Sequence, residues 1–211
     1  MTKNQVQINK ICLAAIFLAL GWLLPFLTGQ IPEIGSMLLP MHIPVFLAGF
    51  ILGPCYGALI GFITPLTRSL IFGMPPIYPT ALAMSFELLS YGFISGAMFI
   101  FLTKYVKKLP TIANVYISLV TAMVLGRFIW AFFDYLFLIG SDNPFTFIVF
   151  ANGAYINAWP GILLQLVLIP AIVQLLYSFN LVQHLLPDYA KVFKRRNIKE
   201  NNTENTTNDN N

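Results

Sequence analysis

Long apolar runs that are nearly free of charge recur throughout this 211-residue chain. A helix rises 1.5 Å per residue, so about 20 apolar residues cross the ~30 Å hydrocarbon core of a bilayer. Charged residues make up only 9% of the chain, against about 25% in a soluble domain, so little of its surface can face water. These features predict an all-α integral membrane protein. Four of the runs occupy residues 11–28, 80–102, 112–139 and 158–184.

A still longer apolar run, at residues 41–72, contains an internal break. The motif GPCYG at residues 53–57 is typical of a tight turn, since glycine and proline interrupt helices. It predicts a short span at about 41–53 and a fuller one at about 55–72. Together with the other four runs, these two segments predict a compact bundle of six transmembrane helices.

The basic residues cluster where a six-span topology predicts the cytoplasm. They occupy the amino end, the connection between the fourth and fifth spans, and the carboxyl tail, whereas the first, third and fifth connections contain no lysine or arginine. The positive-inside rule therefore predicts that both termini face the cytoplasm. The basic residues concerned are Lys3, Lys10, Lys104, Lys107, Lys108, Lys191, Lys194, Arg195, Arg196 and Lys199.

The chain divides into three predicted parts. Residues 1–9 form a polar cytoplasmic segment, residues 10–186 the membrane domain, and residues 187–211 a tail that is first basic and then rich in asparagine and threonine. Such a tail has too few apolar groups to build a core and is predicted to be disordered. The basic residues do not indicate a nucleic-acid partner, because they sit mostly at the ends of spans.

Two charged side chains interrupt the predicted fifth span. Arg127 and Asp134 are seven residues apart in LGRFIWAFFDYLFLIG, so they share a helix face. An ionised side chain at the bilayer centre costs about 2.5–3.5 kcal/mol on insertion scales, and such residues usually mark functional sites. In the predicted topology they lie in the outer half of the membrane with other polar residues, whereas the inner halves of the spans hold few. The candidate substrate-binding residues are Arg127, Glu87, Arg68, Asp134, His42, Trp159, Asn157 and Gln165.

The convergence of these residues from five segments predicts a polar pocket that opens to the outside and binds a solute. Other roles stay open for single side chains. Glu87 and Arg127 could form a structural ion pair, and Arg68 could extend to the interface. Trp159 could belong to an interfacial aromatic belt. Asp134 and His42 could be solvated near the headgroups, and the Asn and Gln side chains could bond helices together.

Small residues form a stripe on the first span. Ala15 and Ala19 are four residues apart, a spacing that lets another helix approach closely. That helix could belong to another subunit. Gly57 and Gly61 repeat the spacing on the third span, where packing within the bundle is the expected use.

Motifs for an energy source or an enzyme are missing from the chain. It contains no glycine-rich phosphate loop and no metal-ligating HExxH. It also shows no constellation of an activated nucleophile. We therefore expect no enzymatic activity, no metal and no cofactor in this chain. Movement of a solute would then draw on an ion gradient or on a partner.

Several segments closely resemble the substrate-binding S components of energy-coupling factor (ECF) vitamin transporters, in the branch that includes pantothenate and pyridoxine proteins. The resemblance spans about residues 10–185 and rests on PMHIPV, GMPP with a following glutamate, GRFIWA and WPGILLQ. It implies a six-helix subunit of a bacterial cytoplasmic membrane that captures a vitamin at its outer face. It also implies docking on a transmembrane coupling protein and two ATPases, which use ATP, through an AxxxA motif matched by Ala15 and Ala19.

The resemblance leaves the solute open among pantothenate, pyridoxine, hydroxymethylpyrimidine and other precursors. Pantothenate is favoured because the guanidinium groups of Arg127 and Arg68 suit a carboxylate, although Glu87 and Asp134 could neutralise them. Two other functions remain as alternatives. One is an independent ion-coupled carrier with Glu87 or Asp134 as its proton site. The other is a structural scaffold in which the buried charges only hold helices together.

Overall fold

Every regular element of the described chain is helical, which confirms the all-α prediction for that part. The predicted tail at 187–211 and the end of the predicted sixth span, 180–184, lie outside the described residues, as do Lys107 and Lys108. The computed structural model describes residues 3–28, 31–106, 109–139, 151–179 and Leu185.

Seven α-helices are described, and short turns of 3₁₀ or π type adjoin three of them. The turns are Leu24–Thr28 after the first helix, Ile77–Ala81 before the fifth and Asn152–Ile156 before the last. The helices are α1 (Lys3–Leu23), α2 (Pro32–Leu38), α3 (His42–Leu52), α4 (Pro54–Phe72), α5 (Leu82–Tyr105), α6 (Thr111–Leu138) and α7 (Trp159–Ser178).

Within the described parts of the chain, five helical segments are long and apolar enough to cross a membrane. They contain α1, α4, α5, α6 and α7, and they correspond to five of the six predicted spans. Large apolar side chains are exposed along these helices, as expected for surfaces in contact with lipid. The protein is therefore a multi-pass membrane protein. The segments are Asn4–Leu27, Pro54–Phe72, Ile77–Tyr105, Thr111–Leu138 and Trp159–Ser178.

The remaining predicted span corresponds to α3, which differs from the others in length and burial. It has 11 residues, and all of them are buried. At 1.5 Å per residue it is about 16 Å long, roughly half of the hydrocarbon thickness. The predicted break is present but shorter than the motif: Gly53 separates the two helices with a φ of 97°, and Pro54 begins α4. A positive φ suits glycine, and proline is pre-organised for the first helical position.

The helix α2 was not predicted from the sequence. It has only seven residues, and the residue that caps its carboxyl end, Leu39, has a left-handed φ of 50°. This helix packs against the start of α7, because a Cβ placed on Gly161 would lie 2.5 Å from the carbonyl oxygen of Met37. The absence of a side chain at Gly161 therefore lets the two backbones come into contact.

The glycine stripe of α4 packs against α5 inside the bundle. A Cβ on Gly57 would lie 2.6 Å from the carbonyl oxygen of Gly92, and one on Gly61 would overlap the backbone at Leu88. Small residues at this spacing allow close helix approach. The contact holds α5 in the middle of the bundle, between α4, α6 and α3, and it fixes the position of Glu87 next to Leu88.

Candidate functional site

A buried ion pair joins α5 and α6. Arg127 Nη1 lies 2.9 Å from Glu87 Oε1, and the two side chains are 7% and 2% exposed. The hydroxyl of Tyr91 donates a hydrogen bond of 2.8 Å to the same carboxylate oxygen. His42 Nε2, at the start of α3, lies 3.8 Å from it. Three helices therefore place three polar side chains around the carboxylate of Glu87.

Local sequence spacing explains this arrangement. Glu87 and Tyr91 are four residues apart, so they lie on the same face of α5. Gly126 precedes Arg127 on α6, and a Cβ at that position would overlap the ring of Tyr91. The other side of the cluster is formed by Phe46 of α3, whose ring stacks on Tyr91 at a centroid distance of 4.8 Å. The tyrosine is thereby held between α3 and α6 with its hydroxyl on the carboxylate.

The ion pair is electrically neutral as a unit. A lone charge buried in an apolar bundle is strongly unfavourable, whereas a paired and hydrogen-bonded one is tolerated. Glu87 satisfies one N–H group of Arg127, and a guanidinium carries five. The remaining donors of Arg127 can therefore bind another group.

A cavity of about 150 Å³ lies beside Arg127, between α6 and α7. Its polar lining comes from Arg127, Gln165 and two tyrosines, and the rest of its wall is aliphatic or methionine. Gln165 is buried and donates a long hydrogen bond of 3.4 Å to the carbonyl oxygen of Leu39. The lining residues are Tyr91, Val120, Met123, Val124, Arg127, Tyr155, Ile162, Gln165 and Leu166.

The predicted site residues fall into three groups: those that line the cavity, those in the buried cluster beside it, and those elsewhere in the bundle. Arg127 and Gln165 line the cavity, and Glu87 and His42 lie behind Arg127 in the buried cluster. The others lie elsewhere. Arg68 is buried, but its Nη1 donates to the carbonyl oxygen of Met74, in the loop that follows its own helix.

Asp134, Trp159 and Asn157 do not line the cavity. Asp134 is buried two turns beyond Arg127 on α6 and forms no ion pair with any described residue. Trp159 is 59% exposed at the start of α7, and Asn157 is exposed in the turn before it. Their predicted ligand roles stay predictions without support from this geometry.

Tyr91 and Tyr155 were missed from the sequence, although both line the cavity. For Tyr91 a signal was present, namely its position one helical turn after Glu87. Tyr155 lies in a π-type turn that hydropathy does not reveal.

The expectation that one half of the spans holds few polar residues needs correction. In the second half of α5 and the first turns of α6, four polar side chains are buried: Ser95, Thr103, Asn114 and Ser118. Hydroxyls can bond to a carbonyl of the preceding turn, as Ser118 Oγ does to Asn114 at 2.7 Å, so they sit in an apolar run without changing its hydropathy. Both side-chain polar atoms of Asn114 are without a hydrogen-bond partner among the described residues.

Within the ranges that the structure describes, no group of three His, Cys, Asp or Glu side chains is arranged to hold a metal ion. The long apolar helices and the cavity between α6 and α7 define a multi-pass membrane protein with room for a small molecule. A comparison with protein families then identifies its class. Residues 9–176 match the family described as ECF transporter, substrate-specific component, and the chain belongs to that family.

The resemblance noted from the sequence is thus confirmed at the level of the family. Members are the substrate-specific subunits of ECF transporters, and the ATPases are separate subunits. No curated protein and no solved structure matches the chain significantly.

Proposed function

We propose that this chain captures a small water-soluble vitamin or vitamin precursor and delivers it to an ECF coupling module. One observation carries the proposal: the cavity beside Arg127 combines an apolar wall with a few buried polar groups. Binding sites for small molecules have this composition, since the apolar wall supplies affinity and the polar groups fix orientation. The ligand would reach Arg127, Gln165 and Tyr91 directly, with Glu87 behind the arginine.

The proposal includes six membrane segments with both termini in the cytoplasm. The short helix α3 would be the sixth segment, completed across the membrane by the residues that adjoin it. Support comes from its complete burial and from its packing against α4, α5 and α1. The distribution of basic residues supports the orientation.

Docking on the coupling protein would use the outer face of α1. Ala15 is exposed and Ala19 is half-buried, while exposed Ile8 and Cys12 continue the same face. Small residues on an outward face leave a shallow groove into which another helix can pack. The position of the stripe on the surface therefore supports contact with another subunit. The partners would be a transmembrane coupling protein and two ATPases.

Pantothenate loses its main physical support as the preferred ligand. The preference for pantothenate depends on the guanidinium groups of Arg127 and Arg68 being available for its carboxylate. Arg127 is instead paired with Glu87, and Arg68 donates to Met74 in its own loop. Neither guanidinium group is therefore available at the cavity as an unpaired positive charge that would favour an acid.

Uptake by intact cells tests the function directly. The chain would be expressed alone or together with the coupling protein and ATPases from the same genome, and uptake of labelled vitamins would be measured. We expect uptake only with the complete set. Uptake by the chain alone would contradict the proposal and favour an ion-coupled carrier. Absence of both uptake and ligand binding would favour the scaffold.

A further inference from the structure

We infer that the cavity selects a ligand that carries no net charge and is built on a single six-membered ring, and that Glu87 is the residue that excludes carboxylates. This inference rests on the proposed function, because it names the chemical class of solute for the same site. It follows from three properties of the cavity: its charge, its size and the chemistry of its lining.

The charge of the site is already balanced without a ligand. Among the described residues that line the cavity, Arg127 is the only one with a formal charge, and its guanidinium lies 2.9 Å from the carboxylate of Glu87. A ligand carboxylate in the cavity would therefore lie beside a cation that is already paired and near the carboxylate of Glu87. Burial of a charge without its own partner is strongly unfavourable.

A neutral ligand avoids this penalty and can still use the arginine. The guanidinium N–H groups that do not bind Glu87 can donate to a ring nitrogen or to a hydroxyl oxygen. Gln165 can both donate and accept through its amide, and Tyr155 brings a phenolic hydroxyl to the same cavity. These groups match an uncharged ring with polar substituents.

The volume of the cavity matches a ligand of about one ring. Its volume is about 150 Å³, and apolar cavities on the order of 150 Å³ hold a benzene-sized molecule. The wall combines branched aliphatic side chains and methionine with the rings of Tyr91 and Tyr155. Aromatic side chains favour stacked or edge-on contacts with another ring, and Tyr91 is already held in place by Phe46 at 4.8 Å. A planar ring fits this space better than an extended acyclic chain.

Matched ligand pairs test the inference on the unmodified full-length protein. The first pair is pyridoxine and 4-pyridoxate, which share a ring and differ by a hydroxymethyl or a carboxylate group. A second ring pair is hydroxymethylpyrimidine and its 5-carboxylate, and an acyclic pair is pantothenol and pantothenate. Dissociation constants would be measured by titration calorimetry in detergent, with thermal stabilisation as a second readout.

We expect at least one neutral ring compound to bind, and its carboxylate analogue to bind at least about tenfold more weakly. Equal or tighter binding of the acid would overturn the charge selection. Binding of the acyclic pair alone would overturn the ring selection. Binding of none of the ring compounds would overturn the inference as a whole.

Glu87→Gln tests the assigned role of the glutamate. Loss of its charge leaves Arg127 unbalanced, so the ratio of acid to neutral affinity should move at least about tenfold toward the acid. Lys104→Gln is the control for loss of a charge elsewhere, since Lys104 is exposed at the end of α5 and does not line the cavity. Its ratio should stay within about threefold of the unmodified protein. An equal shift in both variants would contradict the role of Glu87, and if Glu87→Gln does not fold, the unmodified pairs still decide the inference.

The uptake assay distinguishes an error in the inferred ligand class from an error in the proposed function. If the complete transporter imports an acid or an acyclic vitamin, the inference is wrong and the proposed function stands. If the chain neither binds nor imports any member of the panel, both are wrong.

Discussion

The carboxylate of Glu87 and the guanidinium of Arg127 lie 2.9 Å apart in the interior of the bundle. They come from different helices, and the arginine also faces the cavity between α6 and α7. The pair therefore connects helix packing to the candidate ligand site. A change at either residue should affect both stability and binding.

Removal of one member of the pair should destabilise the protein strongly. Arg127→Gln leaves Glu87 buried without its cation, which typically costs about 3–5 kcal/mol. The double variant Glu87→Gln/Arg127→Gln leaves no net charge, so its loss should be clearly smaller than the sum of the two single losses. Chemical unfolding in detergent would measure the three variants, and additive losses would show that the pair is not energetically coupled.

Tyr91→Phe should lower the free energy of unfolding by about 1.5–3 kcal/mol, because the lost hydrogen bond is donated to a charged group. The ring and its contact with Phe46 remain, so the effect reports the hydroxyl alone. Tyr116→Phe is the control, since Tyr116 is 41% exposed on α6, and its effect should stay within about 0.5 kcal/mol. Equal losses in the two variants would contradict the assigned bond.

Gly126→Ala should weaken both folding and ligand binding. The new Cβ would overlap the ring of Tyr91, and overpacking of this kind typically costs about 1–3 kcal/mol. Displacement of the ring would also move its hydroxyl away from Glu87. Thermal unfolding and ligand titration would measure the two effects. Unchanged values in both would show that α5 and α6 separate easily at this point.

Ala15→Trp and Ala19→Trp should abolish uptake while ligand binding stays within about threefold of the unmodified protein. A bulky ring on this exposed face of α1 blocks close approach of a partner helix, whereas α1 contributes none of the residues that are described as lining the cavity. Ala171→Trp is the matched control, because Ala171 is exposed on α7. Normal uptake in the α1 variants, or equal loss in the control, would contradict docking through the stripe.

The sequence alone determined the class of the protein and the positions of its long helices. Apolar runs of spanning length are decisive because a bilayer requires every backbone polar group to be satisfied within the segment. Gly53 and Pro54 also indicated the break before α4, since both residues act on the backbone directly. The stripe at Gly57 and Gly61 indicated close packing, since glycine has no side chain to keep a neighbouring helix apart.

Tertiary structure decided which polar residues meet. Hydropathy indicates the depth of a side chain but not the direction in which its helix is rotated. Arg127 turns toward Glu87 and the cavity, Arg68 turns toward Met74, and Trp159 points outward. These differences arise from the contacts between helices. Gly92 brings α5 against α4, and Gly126 brings α6 against Tyr91 of α5. The charge balance of the site, and therefore the ligand that it favours, is a property of the packed bundle.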